Sequence, residues 1–186
     1  MNIKKGLLAG AAALGLSLSA QASFINVGGV VWDPDSINSF PAAQDFFSSG
    51  NLFENAALQK GDVVNGYGIF DLFNSDQNNA AEFCPGCELT FTFSMVLDDF
   101  TPLAGNASFF EFSGLEINIF VDNTPDYAAT SASSADGNLW LSLAADGLLT
   151  GIGTDIATGS DTGTGSALLN VTGGMAASNF DTNGEA

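Results

Sequence analysis

The strongest constraint in this chain is a run of period-two alternation. Leu89, Phe91, Phe93, Met95 and Leu97 alternate with Thr90, Thr92, Ser94, Val96 and Asp98. Side chains that return to one face every second residue mark a strand with one buried face. The pattern recurs in Leu115, Ile117, Ile119 and Val121, set against Glu116, Asn118, Phe120 and Asp122. It recurs again in Leu139, Leu141 and Leu143, and in Ala167, Leu169 and Val171. Turn-forming clusters separate the runs, among them residues 122–126 and Asp136-Gly137-Asn138. Short alternating strands between turns predict an all-β fold: an antiparallel β-sandwich, jelly-roll-like or similar, with one or two short helices.

The remaining segments are less regular. Phe24, Ile25, Val27, Val30 and Val31 predict a first strand over 23–31, ended by the turn chemistry of Trp32-Asp33-Pro34-Asp35-Ser36. Leu52, Phe53, Ala56, Ala57 and Leu58 have loose helical spacing, which predicts a short helix to Gln59 with Ser49 or Asn51 as its cap. Val63, Val64, Tyr67, Ile69 and Phe70 predict a strand over 62–73 around two glycines. The polar residues 74–80 and the Gly, Thr, Asp and Ser tract 151–166 predict exposed loops. The chain holds 16 Phe, so aromatic side chains are expected to fill much of the core.

The first 22 residues have the order of a secretory signal. Lys4 and Lys5 precede an uncharged apolar run from Gly6 to Leu18. Ala20 and Ala22 then place small side chains where a signal peptidase reads them, so cleavage is expected before Ser23. The apolar run is shorter than the roughly 20 residues of a membrane span, and no transmembrane span is expected in the mature chain. Residues 23–186 then form a single domain, with secretion as the expected destination.

Charge excludes more functions than it suggests. The chain has 21 Asp and Glu against three basic residues, Lys4, Lys5 and Lys60, and no His. Removal of the signal moves the net charge from −18 to −20 and leaves Lys60 as the sole basic side chain. A Ser-His-Asp triad, a Cys-His pair, a His-ligated zinc and an arginine clamp on phosphate each need a residue that is missing. Nucleic acid is not an expected partner, because binding it rests on Lys and Arg neutralising phosphates.

Cys84-Pro85-Gly86-Cys87 is the one chemically pointed motif. Pro then Gly suits the centre of a type II turn, which brings the cysteines together, and an exported chain meets oxidising conditions. The expectation is a local disulfide that fixes the start of the strand at Glu88. A dithiol redox centre is the sharper alternative, but such cysteines sit at a helix N-terminus, and here a strand follows.

Carboxylates are the only catalytic toolkit the composition permits. A glycosidase needs two of them, and Asp33 with Asp35, Asp98 with Asp99, and Glu111 with Glu116 are the available pairs. Nothing selects one pair, and no enzyme activity is expected. Calcium is more plausible, because it takes clustered oxygens from Asp, Asn and backbone carbonyls. Asp122, Asn123 and Asp126 are candidates, as are the clusters at 74–78 and 181–185. None completes an EF-hand: in the 74–85 stretch Asn79 replaces the loop Gly and Pro85 the final Glu. Asp and Asn are also ordinary turn residues.

Three blocks carry a family resemblance. They are Ser23-Phe24-Ile25-Asn26-Val27-Gly28-Gly29-Val30-Val31-Trp32-Asp33-Pro34-Asp35, Phe83-Cys84-Pro85-Gly86-Cys87-Glu88-Leu89-Thr90-Phe91, and residues 171–183. With the signal, they resemble the flocculation-associated PEP-CTERM proteins of Gram-negative bacteria. The resemblance implies export to the cell surface or matrix. It also implies a non-catalytic role among exopolysaccharide and other matrix components, promoting floc or biofilm formation. It carries over no catalytic residues. Members usually end in Pro-Glu-Pro, an apolar span and a basic tail, whereas this sequence stops at Gly184-Glu185-Ala186. The expectation is therefore a truncated sequence or a released member. A carbohydrate- or calcium-binding β-sandwich module is the alternative reading.

Overall fold

The computed structural model describes residues 24–32, 48–57, 59–73, 80–154 and 162–182. The signal segment with its cleavage residues Ala20, Ala22 and Ser23, the Asp33 and Asp35 pair, and the 74–78 cluster lie outside them. Ten strands run in chain order: β1 (Ile25–Val27), β2 (Val30–Trp32), β3 (Ser49–Glu54), β4 (Val63–Leu72), β5 (Glu88–Pro102), β6 (Ala107–Asp122), β7 (Asn138–Ala145), β8 (Leu149–Thr154), β9 (Thr162–Ser166) and β10 (Leu169–Gly173). Two one-turn helices, α1 (Ala80–Phe83) and α2 (Ala177–Phe180), complete the described elements. The fold is all-β, antiparallel and sandwich-like, as the alternation predicts.

Its two layers are unequal. Eight strands make one sheet in the order β10-β7-β6-β5-β4-β3, extended by β8 on β6 and β9 on β8. The β1–β2 hairpin, turned by Gly28 and Gly29, and the two helices cover part of one face. Register explains which face. Phe91 lies opposite Ile119, Phe93 opposite Ile117, Leu141 opposite Ile119 and Val171 opposite Leu143. Partners directly across a ladder share a face, so these side chains form one apolar surface. Trp32, Val30, Phe83 and Ala176 pack over it around Trp140, which is fully buried. Trp140 meets Trp32, Phe73 and Phe180 with ring centroids 5.5–5.6 Å apart, and its indole N–H donates to the Val27 carbonyl at 2.9 Å.

Glycine makes room on β4. A methyl group at Gly66 would overlap the Phe93 ring, and one at Gly68 would overlap the Phe91 ring. The two rings thus lie across the neighbouring strand, and the glycines noted in the sequence are packing sites.

Three local readings are corrected. Residues 49–54 form β3 instead of a helix, paired along β4 from Gly50–Phe70 to Glu54–Gly66. Ladder hydrogen bonds to a distant segment outweigh a weak local helical pattern. The tract 151–166 contains most of β8 and all of β9, where Gly151 faces Gly165 and Gly153 faces Gly163. The Thr154 and Thr162 hydroxyls bond across that pair at 2.9 Å. An edge ladder with little covering it can be built from Thr and Gly, without the large apolar residues by which strands are usually recognised. The first predicted strand is a hairpin of two three-residue strands, because Gly28 and Gly29 have φ of 65° and 101°.

Candidate functional site

The chemically distinctive place is the edge of the sheet where β5 begins and β6 ends. Cys84 and Cys87 form a disulfide with Cα atoms 5.0 Å apart, and the Cys87 N–H donates to the Cys84 carbonyl at 3.0 Å. Both cysteines are buried in the main core cluster. This placement makes the pair a structural staple that positions the next residue, Glu88.

Glu88 is the first residue of β5 and stands opposite Asp122, the last residue of β6. The chain then loops over the polar face of the sheet, where side chains from the strands below hold it. The Thr90 hydroxyl donates to the Ser134 carbonyl at 3.0 Å, and the Tyr67 hydroxyl to the Ala129 carbonyl at 3.1 Å. Ala129 adopts a φ of 52°, a left-handed backbone that costs a residue with a side chain about 1–2 kcal/mol. Thr130 and Ser133 are tied by their hydroxyls at 2.9 Å, and the fully buried Ser134 donates to the Thr130 carbonyl. The loop thereby returns Asp126 and Asp136 to the end of the sheet. At Gly137 an added methyl carbon would come within 2.6 Å of the Val121 carbonyl, so only glycine lets the chain pass there.

Four acids converge as a result. One carboxylate oxygen from each of Glu88, Asp122, Asp126 and Asp136 lies within 4.8 Å of the others. Asp126 and Asp136 are exposed and Asp122 is half-buried, but Glu88 is only 6% exposed. Its Oε2 accepts the Tyr127 N–H at 3.1 Å, while its Oε1 is buried with no hydrogen-bond partner. Asp122 Oδ1 accepts the Thr124 N–H at 2.9 Å. Burial pushes the Glu88 carboxyl above its ordinary value of 4.5; the N–H groups of Tyr127 and Asp126 oppose that, and the charges of Asp122 and Asp126 add to it. The group is chemically an all-oxygen, hard-donor cluster suited to a divalent cation.

The sequence singled out two of these four residues. Asp122 and Asp126 are present, while Glu88 has the sequence context of a strand start and Asp136 that of a turn. Asn123, the third candidate, places its Oδ1 beside Gly29. Asp181 of the 181–185 cluster follows α2, and 183–185 lie outside the described residues. The acids offered as catalytic pairs are elsewhere on the ladder: Asp99 faces Glu111, and Glu116 faces Ser94 and Ala144. The other polar feature is a row across the same face, in which Thr172 donates to Ser142 and Ser142 to Asn118, at 2.9 and 2.8 Å.

No family model, curated protein or solved structure matches this chain. Among the described residues, no helix is long and apolar enough to cross a membrane.

Proposed function

We propose that this is an exported, non-catalytic acidic protein of an extracellular polysaccharide matrix. In this reading it promotes floc or biofilm formation, as the resemblance to flocculation-associated PEP-CTERM proteins implies. Export proceeds through the signal at 1–22, and the partners are exopolysaccharide and other matrix polymers. The observation that carries the proposal is the charge of the surface. Lys60 is the only basic residue after position 22, set against 21 acids. Asp71, Glu82, Asp99, Glu116 and Asp146 are all exposed and are spread over strands and loops, away from the four-acid cluster. Such an exterior repels copies of itself and other polyanions at low salt. Divalent cations remove that repulsion and can bridge carboxylates on two polymers.

Co-sedimentation with an acidic polysaccharide tests the proposal. Millimolar calcium should carry the protein into the pellet with alginate and leave it in solution with a neutral glucan. Sedimentation unchanged by calcium, or cleavage of either polymer by the protein, would contradict it.

A further inference from the structure

We propose that Glu88, Asp122, Asp126 and Asp136 bind one calcium ion per chain. The site closes the 123–137 loop onto the sheet. It is separate from the diffuse bridging described above and does not depend on the matrix role.

Two independent observations point to a ligand. The first is convergence. Oxygens bound to one calcium at 2.3–2.6 Å lie no more than about 5 Å apart. The four carboxylates sit within 4.8 Å of one another, which is the spacing of oxygens that share one coordination sphere. The second is the state of Glu88. It is 6% exposed, and its Oε1 is buried without a donor. An ionised oxygen removed from water needs a compensating charge or donor. Among the described residues no hydrogen bond supplies one to that atom, and a cation would. Solvated surface acids, the ordinary explanation for a carboxylate cluster, do not include a buried member.

The framework is built before the ion arrives. The Cys84–Cys87 disulfide sets the start of β5, the Glu88–Asp122 register sets the second ligand, and the Thr90 and Tyr67 hydroxyls hold the loop that carries the other two. The donors are all carboxylate oxygen, which favours hard cations over zinc or copper. Calcium accepts irregular oxygen shells, whereas magnesium demands a near-ideal octahedron and holds its water. Asp126 and Asp136, the exposed members, leave the cluster open to water on their side.

Calorimetric titration of the EDTA-stripped, dialysed protein with calcium chloride tests the site. The expected result is one saturable site per chain. Binding should weaken at least about tenfold in Asp126→Asn and in Asp136→Asn, and stay unchanged in Asp146→Asn. Both test residues are exposed, so the fold should survive their replacement. Absence of saturable binding, or affinity that neither substitution alters, would overturn the proposal. Equal affinity for magnesium would overturn the assignment to calcium.

Glu88→Gln supplies a readout that a merely structural role would not move. In EDTA this variant should melt no lower than the native protein, because a neutral amide replaces a buried charge. Saturating calcium should raise the native melting temperature by several degrees and the variant's far less. An equal rise in both would overturn the role of Glu88.

Discussion

The long β5–β6 ribbon passes through two differently built halves. In the half that begins at Glu88, the apolar face lies beneath the β1–β2 hairpin and the helices, and the 123–137 loop covers part of the polar face. Leu89, Thr90 and Val121 are at most 1% exposed there. In the half that ends at Pro102, β6 pairs with β8 in place of β7. Phe100, Phe110 and Phe112 form a ladder with ring centroids 5.2 and 6.0 Å apart, but Phe100 remains 40% exposed and Ile152 48%. The ladder is irregular between the halves: β5 shifts register after Ser94 and again after Leu97, Gly114 has a φ of 60°, and residues 146–148 separate β7 from β8. Both halves alternate in sequence. The difference teaches that alternation specifies which side chains share a face, while burial depends on what other segments lie over it.

The sharpest way to break this contrast is to remove a ring from each half. Trp140→Ala should cost about 3–5 kcal/mol in urea denaturation. Phe110→Ala, at a half-buried site, should cost about 1–2 kcal/mol. Equal losses would mean that the two halves are covered alike. A smaller effect is expected at Gly66→Ala, which forces the Phe93 ring off β4 and should cost about 1–3 kcal/mol by overpacking. A neutral outcome there would show that the ring has room to move.

The disulfide comes next. Its loop is tiny, so Cys84→Ser with Cys87→Ser should cost no more than about 2 kcal/mol by chain entropy. Amide exchange should nevertheless speed up around Glu88 and leave β8 and β9 unaltered. Faster exchange throughout the sheet would remove the local role assigned to this staple.

The smallest effect is the pH response of Glu88. Its carboxyl is raised above 4.5, so between that pH and the raised value the native state keeps a proton that the unfolded chain has lost. In EDTA, stability relative to Glu88→Gln should therefore fall as pH rises through that window. Asp122, Asp126 and Asp136 face the group. A native-minus-variant difference that is flat, or rises with pH, would contradict its burial.

Much of the sheet was legible because large side chains alternate where one face is covered. β5 and β6 follow from Leu89–Leu97 and Leu115–Val121 by this logic, whereas β7 follows only from Leu141 and Leu143: Leu139 is 40% exposed and Trp140 is buried, because the β6–β7 register shifts between Ile119 and Phe120. β3 was not legible, because Leu52 and Phe53 are exposed on an edge and only the ladder with β4 makes them a strand. β9 escaped notice because Thr and Gly suffice where few large side chains pack. The candidate site was half legible. Asp122 and Asp126 stand together in an oxygen-rich turn, but Asp136 is brought to Glu88 by a loop whose anchors, Thr90 and Tyr67, lie on other strands. Glu88 itself looks like a solvated strand residue until the loop is placed over it.

Hydrogen exchange with and without calcium tests the central claim most directly, because it reads both halves of the ribbon at once. Calcium should slow exchange at residues 88–90 and across 122–137 while β8 and β9 exchange as before. Unchanged exchange at the four-carboxylate end, or equal slowing in both halves, would contradict the account.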